Sequence, residues 1–221
     1  MRANGPAIHL VTDRRRLAPA ARTVAEQLAA LQGQLDDAIG AGVDVVQIRE
    51  RDLDARPLVA LVSWARARVS GTHTQVVVND RLDVALVSSA SGVHLRGDGP
   101  PTADVRTLMG PRTVGRSIHR ITDLAGAWGA DYVFFGTVFE SGSKDAGHAV
   151  TGVEALRALT RQAPCPVIAI GGITPANAAS VIAAGAAGIA AIGAFLPDGR
   201  ARDARGPVRA LAEFRAALAT C

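Results

Sequence analysis

Short apolar runs recur along the chain, each closing on glycine or a polar residue, with amphipathic stretches between them. The runs Ile8 to Thr12, Val43 to Ile48, Gln75 to Asn79, Gly92 to Leu95, Thr113 to Gly115, Tyr132 to Phe135, Val167 to Ile170 and Gly188 to Ile192 read as strands. The clearest helical stretches are Thr23 to Ala41, Leu58 to Val69, Gly152 to Gln162, Pro175 to Ala184 and Arg202 to Ala219. Alternation on this scale predicts a parallel sheet with helices outside it. Eight strand signals favour closure into a (β/α)8 TIM barrel over an open doubly wound sheet, with residues 1–221 forming one domain.

The segment Pro166 to Ile173, PVIAIGGI, ends a buried strand in Gly171-Gly172 just before Thr174 and Pro175 open a helix. Paired glycines let bare backbone N–H groups approach an anion, and the helix N-terminus adds partial positive charge at the same place. Gly188 to Gly193 repeats the pattern one strand later. Adjacent strand ends of this kind hold phosphate in TIM barrels, so Gly171, Gly172, Gly193 and Ala194 are the expected phosphate-binding residues.

Composition narrows the class further. With 48% apolar and 4% aromatic residues in 221, the chain can bury one large aliphatic core. No segment approaches the roughly 20 apolar residues of a membrane span. The N-terminal stretch has no apolar core ahead of a cleavage site, so no signal peptide is expected. Cys165 and Cys221 are too few for a disulfide framework and lack metal-ligand spacing, which suits a cytoplasmic protein. The net charge of +4 is spread among acids, which argues against a nucleic-acid partner and leaves a small anionic substrate.

Chemistry in a barrel sits where strands end. At a period of two, Gln47, Arg49 and Arg51 share one face after strand two, a row of donors suited to a phosphate or carboxylate. Asp80, in Asn79-Asp80-Arg81, and Asp98, after the strand bearing His94, can share one Mg²⁺ bridging a pyrophosphate. Equally, Asp80 can cap a helix beginning near Arg81, and Asp98 can serve its Gly/Pro-rich turn. His119 follows Gly115-Arg116-Ser117-Ile118 and is expected at the start of a helix, where the dipole favours the neutral imidazole that acts as a base. His94, inside a strand, reads more readily as packed. The segment Gly136 to Val150 is longer than a strand-to-helix connection needs and holds Lys144, the only lysine among 24 basic residues. A compact, mobile ammonium near an anion is not replaceable by a planar guanidinium.

The motifs GVDVVQIRERD, VVVNDRLDVAL, GVHL, TVGRSIH, GADYVFFGTVFESGSK, PVIAIGGIT and GAAGIAAIGA stand in the order and spacing of the thiamine phosphate synthase and TenI (thiazole tautomerase) family, which the chain resembles over nearly its whole length. The resemblance implies a TIM barrel that holds a thiazole phosphate on the glycines after strands seven and eight, with substrate contacts from Gln47, Arg49, Arg51, Asn79, His94, Ser141 and Ser143. For a synthase it further implies Mg²⁺ on Asp80 and Asp98, and Lys144 with Ser117 at the departing pyrophosphate of a hydroxymethylpyrimidine. For a tautomerase it implies no cofactor, with His119 shuttling a proton that aromatises a thiazole carboxylate phosphate.

Arg51 stands where synthases usually have lysine, Arg96-Gly97-Asp98 replaces a Gly-Gln-x-Asp segment, and Thr137, Ser141 and Ser143 replace a proline and threonines of the long loop. These departures favour the TenI-like branch, while Asn79-Asp80-Arg81 resembles the synthases. A non-catalytic barrel that binds a thiamine precursor and signals through a partner is the third reading. A homo-oligomer is compatible with all three.

Overall fold

The computed structural model describes residues 5–140, 150–197 and 206–219. The short runs of Val, Ile and Leu form parallel strands because helices cover one face of each and the barrel interior covers the other. These are β1 (Ala7–Val11), β2 (Val45–Ile48), β3 (Gln75–Asn79), β4 (Gly92–Leu95), β5 (Thr113–Ile118), β6 (Tyr132–Phe135), β7 (Val167–Ile170) and β8 (Gly188–Ala191). Each pairs with the next in chain order, and β8 pairs with β1, with Ala7 opposite Gly188 and Leu10 opposite Ala191, to close the barrel.

Outside run α1 (Arg14–Leu17), α2 (Val24–Gly40), α3 (Ala55–Arg68), α4 (Leu82–Val87), α5 (Thr102–Met109), α6 (Gly152–Thr160), α7 (Pro175–Ala183) and α8 (Gly206–Leu218). Two 3₁₀ turns, Ile121–Ala127 and Gly193–Phe195, follow β5 and β8. The helix expected from Leu58 begins at Ala55, because Pro57 falls in the first turn, where the missing N–H has no intrahelical partner to lose. Among the described residues no helix is long and apolar enough to cross a membrane.

The larger core lies between strands and helices. A second cluster, Ala7, Val11, Tyr132, Phe134, Ile168 and Ala190, fills the barrel itself. His9 and His94 join it, both nearly fully buried, with the His94 ring 4.2 Å from that of Phe134. Gly115 makes room for this packing, since a Cβ there would collide with the Tyr132 ring and with His94 Nδ1.

One strand differs from its expected limits in a way that matters for the site. β5 does not stop at Gly115: Arg116, Ser117 and Ile118 continue it, opposite Val133, Phe134 and Phe135. Arg116 is tolerated there, although 7% exposed, because its guanidinium donates to the carbonyls of Gly97, Gly99 and Pro100 and to Thr102 Oγ1. His119 therefore does not begin a helix. It follows β5 directly, and the next helical turn has Arg120 as its cap.

Candidate functional site

The strand C-terminal ends surround a cavity of about 900 Å³, lined among the described residues by residues of β1, β2, β3, β5, β6, β7 and β8, by the segments after them and by the segment after β4. Such a volume is at the upper end of what a drug-sized ligand fills. Gln47, Arg49 and Arg51 all line it, as period two requires, while Glu50 turns away and is buried. Glu50 is held by a network from the β1 end. Arg14 Nη1 donates to Glu50 Oε2 at 3.0 Å and to Asp52 Oδ1 at 2.6 Å, Thr12 Oγ1 donates to Glu50 Oε1 at 2.6 Å, and the Arg49 N–H donates to Thr12 Oγ1 at 2.9 Å. The Arg14 guanidinium holds the Asp52 carboxyl down to about 2, whereas burial pushes Glu50 upward. The basic face is thus fixed from behind by a buried ion pair.

Burial and the neighbouring Arg51 charge push the Arg49 guanidinium below its ordinary range, the signature of a cation that an anion would relieve. Deeper in, Gln47 Nε2 donates to Asn79 Oδ1 at 3.0 Å, and Gln47 Oε1 is buried with no partner among the described residues. A ligand donor reaching that oxygen would satisfy it.

At β7 and β8 the residues expected to hold phosphate come together at the cavity. Gly171 and Gly172 both take left-handed backbone angles, φ 97° and 64°, and line the cavity with Ile173, Thr174, Gly193 and Ala194. Their carbonyls are engaged elsewhere, Gly171 O by the Phe139 N–H at 3.0 Å and Gly172 O by Asn177 Nδ2 at 2.9 Å. The start of α7 is closed by a reciprocal pair: the Thr174 N–H donates to Asn177 Oδ1 at 2.8 Å while the Thr174 side chain accepts from the Asn177 N–H. Its positive end accordingly points at the same place as the glycines.

A cation that sequence reasoning missed stands beside these residues. Arg16, on α1, lines the cavity, and its Nη2 stands 4.0 Å from where a Cβ on Gly193 would be. The run Arg14-Arg15-Arg16 divides three ways: Arg14 is buried against Glu50 and Asp52, Arg15 pairs with Asp52 from the surface, and Arg16 reaches the β8 turn. No linear pattern signals which arginine does which, because the β1–β8 pairing that brings α1 to Gly193 exists only on closure of the barrel.

Ser117 and His119 also line the cavity, whereas His94 lies beneath it. His94 Nε2 is 2.8 Å from Ser117 Oγ and its Nδ1 is 3.1 Å from Tyr132 OH. Burial, and then the adjacent His9, hold His94 down to about 3, so the ring is neutral and carries one N–H. If Tyr132 donates to Nδ1, Nε2–H donates to Ser117, and the Ser117 proton is left to point at a ligand. His119 is oriented by a carbonyl: Nδ1 lies 2.5 Å from Gly136 O, so Nδ1 carries a proton and Nε2 is the nitrogen that can offer a lone pair to a ligand. The Asp123 carboxylate fixes its backbone, accepting from the N–H groups of His119 and Arg120 at 3.0 Å each.

Asp98 lines the cavity and Asp80 sits behind it. Both meet Arg96: its Nε is 3.3 Å from Asp80 Oδ2 and 3.0 Å from Asp98 Oδ1, and its Nη2 donates to Asp98 Oδ2 at 3.0 Å. Asp80 does not cap α4, whose N-terminal neighbour is Arg81. Ser141, Ser143 and Lys144 lie outside the described residues.

The chain matches a family model described as thiamine monophosphate synthase over residues 8–195. It is 38% identical over 199 residues to a putative thiamine-phosphate synthase of Geobacter sulfurreducens, covering 89% of each chain. It is 37% identical over 214 residues to a thiamine-phosphate synthase of Roseiflexus castenholzii, covering 95% of this chain and 88% of that one. Among solved structures it is similar to thiamine phosphate pyrophosphorylase from Pyrococcus furiosus, with a TM-score of 0.78 at 28% identity, over 97% of this chain and 96% of that one.

Proposed function

The chain belongs to the thiamine monophosphate synthase family, and from that premise we propose that it is a thiamine phosphate synthase, joining a hydroxymethylpyrimidine pyrophosphate to a thiazole phosphate. The observation that carries this reading is that two separate groups of anion donors line one cavity. Backbone N–H groups with Arg16 serve one phosphate at β7 and β8, and Arg49 and Arg51 serve a second anion at β2. A thiazole carboxylate phosphate would set only a single carboxylate against the second region, where Arg49 and Arg51 offer two guanidinium groups suited to a pyrophosphate.

In the reaction the thiazole nitrogen forms a bond to the pyrimidine methylene carbon as the carbon–oxygen bond to pyrophosphate breaks, and pyrophosphate leaves with that electron pair. Gln47 Oε1 would accept from a pyrimidine amino group, which supplies the donor the buried oxygen lacks. Ser117, oriented by His94, would donate to the leaving pyrophosphate beside Arg49 and Arg51. Asp80 and Asp98 fit a Mg²⁺ ion by their oxygen donors and by their convergence on one cation, Arg96, and would hold it. When bound, the ion supplies positive charge to the departing pyrophosphate.

His119 supports a second reading. Its lone pair on Nε2, fixed by the Gly136 carbonyl, suits the base of a thiazole tautomerase, which needs no metal. Offering both substrate sets to the pure protein separates the two. Release of pyrophosphate is expected with Mg²⁺ and should fall at least about a hundredfold in EDTA, with His119→Asn costing less than about tenfold. Aromatisation of the thiazole carboxylate phosphate, insensitive to EDTA and without coupling, would favour the tautomerase instead. Absence of both turnovers would leave the non-catalytic barrel.

A further inference from the structure

We propose that Arg96 is the resident cation of the Asp80 and Asp98 carboxylates, an internal side chain that a divalent metal must displace before it can bind. The inference rests on the synthase reading and concerns a departure from the usual synthase pattern, since Arg96 begins the segment that stands in place of Gly-Gln-x-Asp. Two carboxylates brought to one place repel, and a guanidinium between them relieves that repulsion as a metal ion would. Arg96 does so with a forked contact to Asp98, at 3.0 Å through both Nε and Nη2, and with Nε 3.3 Å from Asp80.

The carriers of the carboxylates are fixed. Asp80 is held in a left-handed backbone conformation, φ 63°, with its N–H donating to His94 O at 2.8 Å. The segment around Asp98 is pinned by Arg116, which donates to Gly97 O at 2.9 Å and Pro100 O at 2.8 Å. The part free to move is the Arg96 side chain itself, which is 47% exposed, in contrast to Arg14 at 2%. It lines the same cavity as Arg49 and Arg51, so on release its guanidinium is available to an anion there. Exchange of one cation for the other therefore needs a side-chain rotation and no rearrangement of the barrel.

Mn²⁺ binding to the substrate-free protein, read from the electron paramagnetic resonance of the unbound ion, tests this without turnover. Arg96→Gln should bind Mn²⁺ at least about tenfold more tightly than the wild type, because the competing charge is gone. Adding Asp80→Asn to that variant should abolish the gain. Arg96→Lys, a fallback should the glutamine variant not fold, should bind severalfold more tightly than the wild type, as an ammonium cannot fork across Asp98. Equal or weaker affinity on removing Arg96, no bound Mn²⁺ at millimolar concentration in any variant, or a gain that survives Asp80→Asn would each overturn the proposal. Metal-dependent pyrophosphate release by the wild type judges the synthase reading separately.

Discussion

Gly193→Asp is expected to weaken binding of a thiazole phosphate by at least about a hundredfold while leaving the fold intact. A unit charge about 4 Å from another interacts by roughly 1 to 4 kcal/mol between bulk water and a protein surface, and the new carboxylate would also pair with Arg16, removing the cradle's cation. The substitution is sterically mild, because a Cβ at Gly193 meets nothing closer than Arg16 Nη2 at 4.0 Å. Gly172 offers no such test. A side chain there would collide with Phe139 and the Glu140 carbonyl from a backbone angle of 64°, so any loss of binding would be confused with unfolding. Arg16→Met should fall between, at about tenfold, and neither variant should lose affinity for the unphosphorylated thiazole alcohol. Calorimetry with both ligands, alongside circular dichroism, decides it. Equal affinity for the phosphate in a folded Gly193→Asp protein would remove β8 from the anion site.

What the sequence discloses and what it conceals follow from the range over which each signal acts. Strand runs and glycine-ended turns are local, so all eight strands, and the placing of Gly171, Gly172 and Gly193 at the cavity, are readable from neighbouring residues alone. So was the Gln47, Arg49 and Arg51 face, since alternation in a strand needs no tertiary information. Arg116 broke the β5 pattern because a buried arginine looks like a loop residue until its carbonyl partners around Pro100 are known. Arg16 was hidden for a related reason, standing in a charge run that reads as solvated until β1 is paired with β8. His119 reaches the cavity with a different support from the one expected: it follows β5 rather than beginning a helix, and the Gly136 carbonyl performs the orientation. The two aspartates are visible in the sequence as a pair, but Arg96 stands there only as part of a segment that departs from Gly-Gln-x-Asp, with nothing to say that it bridges them.

The interior histidines make the barrel acid-sensitive in a definite window. Burial holds His9 and His94 each at about 3, against an ordinary value of 6.5, so both are neutral in the folded protein at pH 5 and charged in the unfolded chain. Below pH 6.5 the unfolded state therefore binds more protons than the folded one, and stability must fall as pH falls. Between pH 7 and pH 5 each histidine costs about 2 kcal/mol, or about 4 kcal/mol together, with the slope tending to two protons per molecule. Depressed carboxylates such as Asp52, at about 2, act only at lower pH, whereas Glu50, which burial raises, takes up its proton earlier in the folded protein and offsets part of this loss. Because neither ring nitrogen of His9 has a hydrogen-bond partner among the described residues, His9→Leu removes one titration without orphaning another polar group. Urea unfolding at pH 7 and pH 5 should show the wild-type loss and roughly half of it in the leucine variant. A wild-type stability that does not change across this interval would mean that these rings are protonated, or exposed to water, inside the folded barrel.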